Sequence, residues 1–235
     1  MTTSGSGGGA AVVTGAASGI GASISARLSA TGRRVAGLDL QESDTDLSLV
    51  ADVSDRGAVL NALGRVQDEL GPVSVLVTVA GYYEMLPAQE ITPEKWRRML
   101  EVHLGGTCNA CAAVLPGMLE AGGGTIITVS SELALGGGAE DAHYAAAKGA
   151  ILGFTKSLAV EVADRGVRVN CVAPGPTDTP LLEPTSPWRD KAFLETLPLR
   201  RLVRTDEVAE AVLFLVDEGG FFCGQVLSPN AGAVI

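Results

Sequence analysis

Seven short runs rich in Val, Ile, Leu and Ala recur along the chain, most of them separated by a helix-length segment. They read AAVVTG, RRVAGLD, LSLVADV, VSVLVTVAG, GTIITVSS, VRVNCVAPG and GQVLSPN. Runs so continuously apolar fit parallel strands covered on both faces rather than half-exposed ones. The intervening segments that begin at Gly19, Arg56, Glu94, Ala142 and Thr205 read as helices, and Gly32, Gly71 and Gly166 stand where left-handed C-caps are expected. This alternation predicts right-handed crossovers and an α/β fold: a doubly wound, seven-stranded parallel sheet with helices on both faces. In such a sheet, ligands sit beyond the carboxyl ends of the strands. With 46% hydrophobic and 19% charged residues, the chain reads as a flexible leader, 1–9, followed by one domain, 10–235.

Charge and cysteine usage exclude several functions. Lys and Arg total 17 against 27 Asp and Glu, a net charge of -10, and the basic residues are scattered, so nucleic acid is not an expected partner. No apolar run reaches the roughly 20 residues that span a bilayer, and MTTSGSGGGA lacks the charged start of a signal peptide. No membrane association and a cytoplasmic location are therefore expected. Cys108 and Cys111 form one C-x-x-C pair inside an expected helix, but Cys171 and Cys223 stand singly and supply no second ligand pair, so all four read as reduced thiols, with no metal implied. The Pro-rich stretch from about 176 to 205 is too long for an ordinary connection; its Leu181, Leu182, Trp188, Phe193 and Leu197 suit a lid that packs on a ligand.

The first strand runs into VVTGAASGIG, with glycines at 15, 19 and 21. Gly15 ends the strand, Gly19 leaves room for a phosphate, and Gly21 lets the next helix pack closely on the sheet. That helix offers unpaired N–H groups and a positive dipole end to a pyrophosphate. The spacing is not G-x-G-x-x-G, and alone it fits a Gly-rich turn equally well. Eighteen residues past Gly21, Asp39 ends the second strand, where a carboxylate accepts hydrogen bonds from an adenosine ribose and repels a 2'-phosphate. Leu40 follows it, so NAD is favoured over NADP.

Tyr144 and Lys148 stand four apart in an Ala-rich helical segment, one turn apart on one face. A neighbouring ammonium stabilises a phenolate, so Lys148 is expected to bring the Tyr144 pKa down towards the working range. Ser131 ends a strand thirteen residues upstream, where its hydroxyl can hold a substrate oxygen.

Together these motifs resemble the short-chain dehydrogenase/reductase family from Val12 to Gly232. The matching residues are Thr14-Gly15-x3-Gly19-x-Gly21, Asp39, Asp52-Val53, Ala80-Gly81, Ser131, Tyr144-x3-Lys148, Asn170, Pro174-Gly175 and Thr179-Pro180. The resemblance implies a Rossmann-type fold, usually assembled as a homotetramer, with the segment after Gly175 as a substrate lid. It makes Tyr144 the general acid/base, Ser131 the group that polarises the substrate oxygen, and Lys148 the ligand of the nicotinamide ribose. It assigns Asp52 and Val53 to the adenine and Thr177 and Thr179 to the nicotinamide carboxamide or pyrophosphate. Ser18, Ile20, Ala80, Gly81, Pro174 and Gly175 complete the implied NAD site.

Three positions depart from the family pattern. Thr78-Val79 replaces a pair of Asn residues, which removes a tie between neighbouring strands. His103 stands where the family has an Asn that helps hold a water linked to the active-site Lys. His103 can serve through its main-chain carbonyl, act as a titrating proton relay, or simply be packed; the expectation taken here is that the relay is kept. Asn230-Ala231-Gly232 replaces an Asp-Gly-Gly turn, a local change because Asn tolerates turns well.

The expected substrate walls are Glu132, Leu133, Gly136, Gly137, Gly138, His143, Tyr82, Tyr83, Met85, Leu181, Leu182 and Trp188. They are mostly apolar, which favours a small-molecule secondary alcohol or ketone on a lipophilic skeleton, including 3-hydroxyacyl or cyclic compounds. Two other readings stay open: a nucleotide-binding sensor or scaffold with vestigial activity, and a non-redox lyase or epimerase on the same fold.

Overall fold

The computed structural model describes residues 9–235, and the leader, apart from Gly9, lies outside the described residues. Seven strands form one parallel sheet: β1 (Ala10–Thr14), β2 (Val35–Asp39), β3 (Leu47–Val50), β4 (Val73–Thr78), β5 (Gly124–Val129), β6 (Val167–Val172) and β7 (Val226–Leu227). Their order is β3-β2-β1-β4-β5-β6-β7, so the winding reverses between β1 and β4. Each of the seven apolar runs became a strand. β1 is buried along its whole length, as a strand covered on both faces requires.

One core lies beneath α2 (Arg56–Leu70), α4 (Gly106–Glu120) and α6 (Ala142–Val162), and includes Leu76, Ile126 and Val169. The other lies beneath α1 (Gly19–Ala30) and α8 (Thr205–Asp217), and includes Ile24, Val77, Ile127 and Leu215. Truncating any of these fully buried side chains to Ala costs about 2–5 kcal/mol.

Local caps explain where helices stop. Gly166 is left-handed, as expected, whereas Gly71 has φ 88° and ψ -169°, so it turns the chain without a left-handed cap. The end of α8 is held by Arg168 of β6, whose guanidinium donates to the carbonyls of Leu215, Val216 and Gly219 and to Thr125 Oγ1. A cation at a helix C-terminus also meets the negative end of the dipole.

The segment expected as one helix from Glu94 is continuous from Pro93 to Glu120, built of α3 (Pro93–Leu100), a π-helical turn (Glu101–Gly105) and α4. By length and composition it is apolar enough to cross a bilayer, but its apolar face, with Met99, Ala110, Val114 and Met118, is buried in the protein. His103 sits in the π turn.

The tie that Thr78-Val79 was expected to weaken is supplied from elsewhere. Thr14 Oγ1, at the end of β1, accepts the N–H groups of Val79 and Ala80 at 3.1 and 3.2 Å, and Thr107 donates to Thr78 at 3.4 Å. At the far edge, buried Asn170 joins β6 to the C-terminal loop by donating to the Phe222 carbonyl and accepting the Gln225 N–H. Asn230 closes its own turn by accepting the Gly232 N–H at 2.8 Å.

Candidate active site

The carboxyl ends of the strands open into a cleft of about 500 Å³. Every residue expected to bind the cofactor or to act in catalysis lines it: Gly15, Ser18, Gly19, Ile20 and Gly21 at one end, Asp39, Asp52 and Val53 beyond them, and Ser131, Tyr144, Lys148 and His103 at the other. Ala80 and Gly81 form the floor, and Pro174, Gly175, Thr177 and Thr179 the opposite wall.

The Gly-rich end is shaped by close packing. Gly15 takes φ 71°, and a Cβ on Gly21 would lie 1.9 Å from the Gly15 carbonyl oxygen, so the helix start presses against the turn. Ser18, the N-cap of α1, makes no side-chain cap bond, and the first turn holds no acidic residue. The first N–H groups of α1 therefore face the cleft without a side-chain acceptor, the arrangement that suits a phosphate. Asp39 closes this end: its Oδ2 accepts the Ala17 N–H at 3.0 Å and its Oδ1 the Gln41 N–H at 3.2 Å. Arg98 also lines the cleft, but its charge is met by Asp52 at 3.0 Å.

At the reacting end, α6 is bolted to the tip of β5. Lys148 Nζ donates to the Val129 carbonyl at 2.9 Å, and Ser130 Oγ donates to the Lys148 carbonyl at 2.8 Å. Burial brings the Lys148 pKa down to about 8. Its Nζ lies 5.8 Å from the centre of the Tyr144 ring, the juxtaposition that the four-residue spacing predicts.

The electrostatic effect is not the one expected. The Tyr144 phenol stands above its ordinary pKa of 10.0, raised by burial and next by the Glu132 charge, with the Ser131 hydroxyl pulling it partly back. Lys148 does not bring the phenol down here: its Nζ is turned to the Val129 carbonyl, and burial and the Glu132 charge set the direction of the shift.

Glu132 is 7% exposed, and its Oε2 accepts the Ser131 hydroxyl at 2.8 Å. Burial lifts its carboxyl to about 7. The sequence shows a carboxyl directly after the strand-end Ser; the hydrogen bond between them depends on side-chain orientation that no spacing reveals.

His103 packs edge-on to Tyr144, with ring centres 5.4 Å apart, and against the backbone of Gly81, where a Cβ would lie 2.2 Å from His103 Cε1. Its Nε2 meets the Tyr82 carbonyl at 2.8 Å, and its Nδ1 has no partner among the described residues. Burial, with the nearby Lys148 charge, pushes its pKa down to about 3. The imidazole is neutral at ordinary pH, which removes the basis for a relay that titrates near neutrality.

Among the expected walls, Tyr82, Tyr83, Glu132, Leu133, Leu181, Leu182 and Trp188 line the cleft, while Met85, Gly136, Gly137, Gly138 and His143 do not. His143 is fully buried and faces Trp96 and Glu84 instead. Helical geometry accounts for this, since adjacent residues point about 100° apart and only one of His143 and Tyr144 can face the cleft. The lid contains a short 3₁₀ turn (Pro187–Arg189) and α7 (Lys191–Thr196), and Arg189 staples it by donating to the carbonyls of Leu182 and Thr179.

Comparison with known proteins agrees with this geometry. The family model described as short chain dehydrogenase matches residues 9–190. The cis-4-hydroxycyclohexanecarboxylate dehydrogenase of Sinomonas cyclohexanicum is 37% identical, over 94% of this chain and 95% of its own length. The 3-oxoacyl-(acyl-carrier-protein) reductase FabG of Escherichia coli is 34% identical, over 94% of this chain and 96% of its own. The crystal structure of the 3-ketoacyl-(acyl-carrier-protein) reductase of Brucella melitensis complexed with NADH superposes with a TM-score of 0.91 at 29% identity, covering 97% of this chain and 99% of that one. The chain belongs to the short-chain dehydrogenase/reductase family of oxidoreductases.

Proposed function

We propose that this chain is an NAD-dependent oxidoreductase that moves a hydride between the nicotinamide and a secondary alcohol or ketone, with Tyr144 as general acid/base. The observation that carries this reading is the meeting of Ser131, Tyr144 and Lys148 in the cleft whose other end is the Gly15–Gly21 loop. The residues present suit a dinucleotide: the start of α1 lacks a side-chain cap, and Asp39 stands at the ribose position with exposed Leu40 beside it. The NADH in the Brucella relative supports a nicotinamide cofactor, and a carboxylate rather than a cation at Asp39 supports NAD.

In alcohol oxidation, Ser131 holds the substrate oxygen and Tyr144, in the fraction that has lost its own proton at alkaline pH, takes the hydroxyl proton. The nicotinamide, when bound, supplies the hydride acceptor, and the donor in the reverse direction. As the carbonyl forms, the proton remains on Tyr144 and the hydride leaves the carbon with its electron pair; reduction returns both. Lys148 binds the ribose beside the phenol. His103, neutral, walls the inner face, and its main-chain carbonyl is the group left to take the part of the family Asn. The apolar Leu133, Leu181, Leu182 and Trp188 favour a lipophilic skeleton, as does the cyclic hydroxy acid named for the Sinomonas relative.

A panel of secondary alcohols and ketones with NAD(H) and NADP(H) tests the reading by the absorbance of the reduced cofactor. Tyr144→Phe should lower turnover by about 10²–10⁴-fold. Cofactor binding without any turnover would instead support a sensor, and product without absorbance change a lyase or epimerase. A cytoplasmic homotetramer forms part of the same proposal; the exposed apolar Leu135, Val160 and Phe221 support self-association, and light scattering measures it.

A further inference from the structure

Glu132 lies where a substrate must be read. Its N–H donates to the Pro174 carbonyl at 3.0 Å, and its own carbonyl accepts the N–H groups of Leu135 and Gly136, so its main chain is fixed at the start of a short helix, α5 (Leu133–Gly136). Its side chain lines the cleft beside Ser131 and, among the described residues, forms no ion pair. The two cations of the cleft are committed elsewhere, Lys148 to the Val129 carbonyl and Arg98 to Asp52. Asp141 and Tyr144 add no positive charge.

A carboxylate has two oxygens and room for about four donors, and among the described residues the Ser131 hydroxyl is the single side-chain donor that reaches this one. Its other oxygen is not among the sealed atoms that lack a partner, so it is open to the cleft, and a ligand that displaces water there is favoured when it brings a donor. Ser131 Oγ and Glu132 Oε2 are 2.8 Å apart. Hydroxyl groups on adjacent carbons are spaced by about one hydrogen-bond length as well. A substrate whose reacting oxygen is held by Ser131 therefore presents its neighbouring substituent to Glu132.

We propose that Glu132 reads a hydrogen-bond donor on the carbon next to the reacting one, so that the preferred substrate is a vicinal diol or the matching 2-hydroxy ketone. This rests on the oxidoreductase reading above. A carboxylate on that carbon is rejected by like charge, and an alkyl or ether group leaves the carboxyl without its donor. Both effects make Glu132 a specificity-determining residue rather than a part of the hydride transfer itself.

The test compares trans-cyclohexane-1,2-diol, cyclohexanol and 2-methoxycyclohexanol on the full chain with NAD. The ether has an acceptor but no donor at the critical carbon. Assayed above pH 7, where the Glu132 carboxyl is ionised, the diol should show kcat/KM about 10- to 100-fold above both others, the range for a hydrogen bond to a charged group. Glu132→Leu should collapse that ratio, and Glu132→Gln, which keeps an acceptor oxygen, should restore part of it. Calorimetry with NADH present measures the same preference as affinity, independently of turnover. Equal kcat/KM and equal affinity for the three compounds in the wild type would overturn the inference while leaving the oxidoreductase reading intact. Tighter, Glu132-dependent binding of the diol with no turnover of any compound would do the reverse. If Glu132→Leu fails to fold, the ether comparison still decides.

Discussion

The indole N–H of Trp188 donates to the Tyr83 hydroxyl at 3.0 Å, and that hydroxyl in turn donates to Asp141 Oδ1 at 2.7 Å. The lid, the loop after β4 and the N-cap of the catalytic helix are thereby joined through three side chains. Burial, and next the hydrogen bond to Asp141, raise the Tyr83 pKa, so the phenol keeps its donor proton well into the alkaline range. Tyr83 also meets the Tyr144 ring edge-on, with centres 5.0 Å apart, so the 176–205 segment is linked through Tyr83 to the residue proposed as acid/base.

Trp188→Phe keeps an aromatic ring against Phe193 but removes the donor. Losing one neutral hydrogen bond should raise KM for the alcohol by about 3- to 10-fold, with kcat within about twofold. Steady-state kinetics checks this; a fall in kcat at constant KM would count against a lid role.

Glu132→Gln should act on both rate and stability. The Glu132 charge holds the Tyr144 pKa up, so its removal should move the alkaline rise of alcohol oxidation to lower pH. Between the ordinary carboxyl value of 4.5 and the folded value of about 7, the folded protein retains a proton on Glu132 that the unfolded chain has released. The contribution of Glu132 to stability is therefore greatest below this window and falls as pH rises through it, by up to about 1.4 kcal/mol per pH unit, and the Gln variant should lack that component of the slope. Thermal melts from acid to neutral pH provide the measurement.

His103→Asn should leave turnover within about tenfold and the pH profile unaltered, because the imidazole is neutral well above its pKa of about 3. Disappearance of a kinetic limb near 6.5 in the variant would restore the titrating relay.

Asp39→Ala removes the acceptor that faces the Ala17 N–H and the ribose position. We expect kcat/KM with NAD to fall about 10- to 100-fold and the preference to relax towards NADP(H). A wild type that already prefers NADP(H) would contradict the role given to Asp39.

Arg168→Ala strips the donor from three carbonyls at the end of α8. The half-buried carbonyls left behind should cost about 2–4 kcal/mol, lowering the denaturant midpoint without changing the response of activity to pH.

The sheet was legible because a strand covered on both faces is largely apolar: β1 is apolar up to its last residue, and β5 and β6, with their Val and Ile, are buried at all but one position. The meeting of Ser131, Tyr144 and Lys148 in one cleft was legible for a related reason: a strand end places Ser131, and four residues of helix place Lys148 beside Tyr144. The long connection from about 176 to 205 was legible through its length and prolines, but α7 within it was not, since six residues with no buried side chain leave no periodic signal. The reversed shift of the Tyr144 phenol was hidden for a different reason. Desolvation of Lys148, and the orientation of Glu132 towards Ser131, arise only when distant segments close over them. His143 is the case in which the sequence held more than was used, because the face that presents Tyr144 to the cleft turns its neighbour away.

One margin of the sheet ends in β7, a strand of two residues. Beside it lie exposed Val160 and a shallow hollow lined by Leu135, Ala159 and Val226, a surface that invites association. So brief an edge gives a stray strand almost no backbone to template on, which guards against fibrous stacking. Contacts made across this margin must therefore be written in side chains, and the protein can be sticky here without being amyloid-prone.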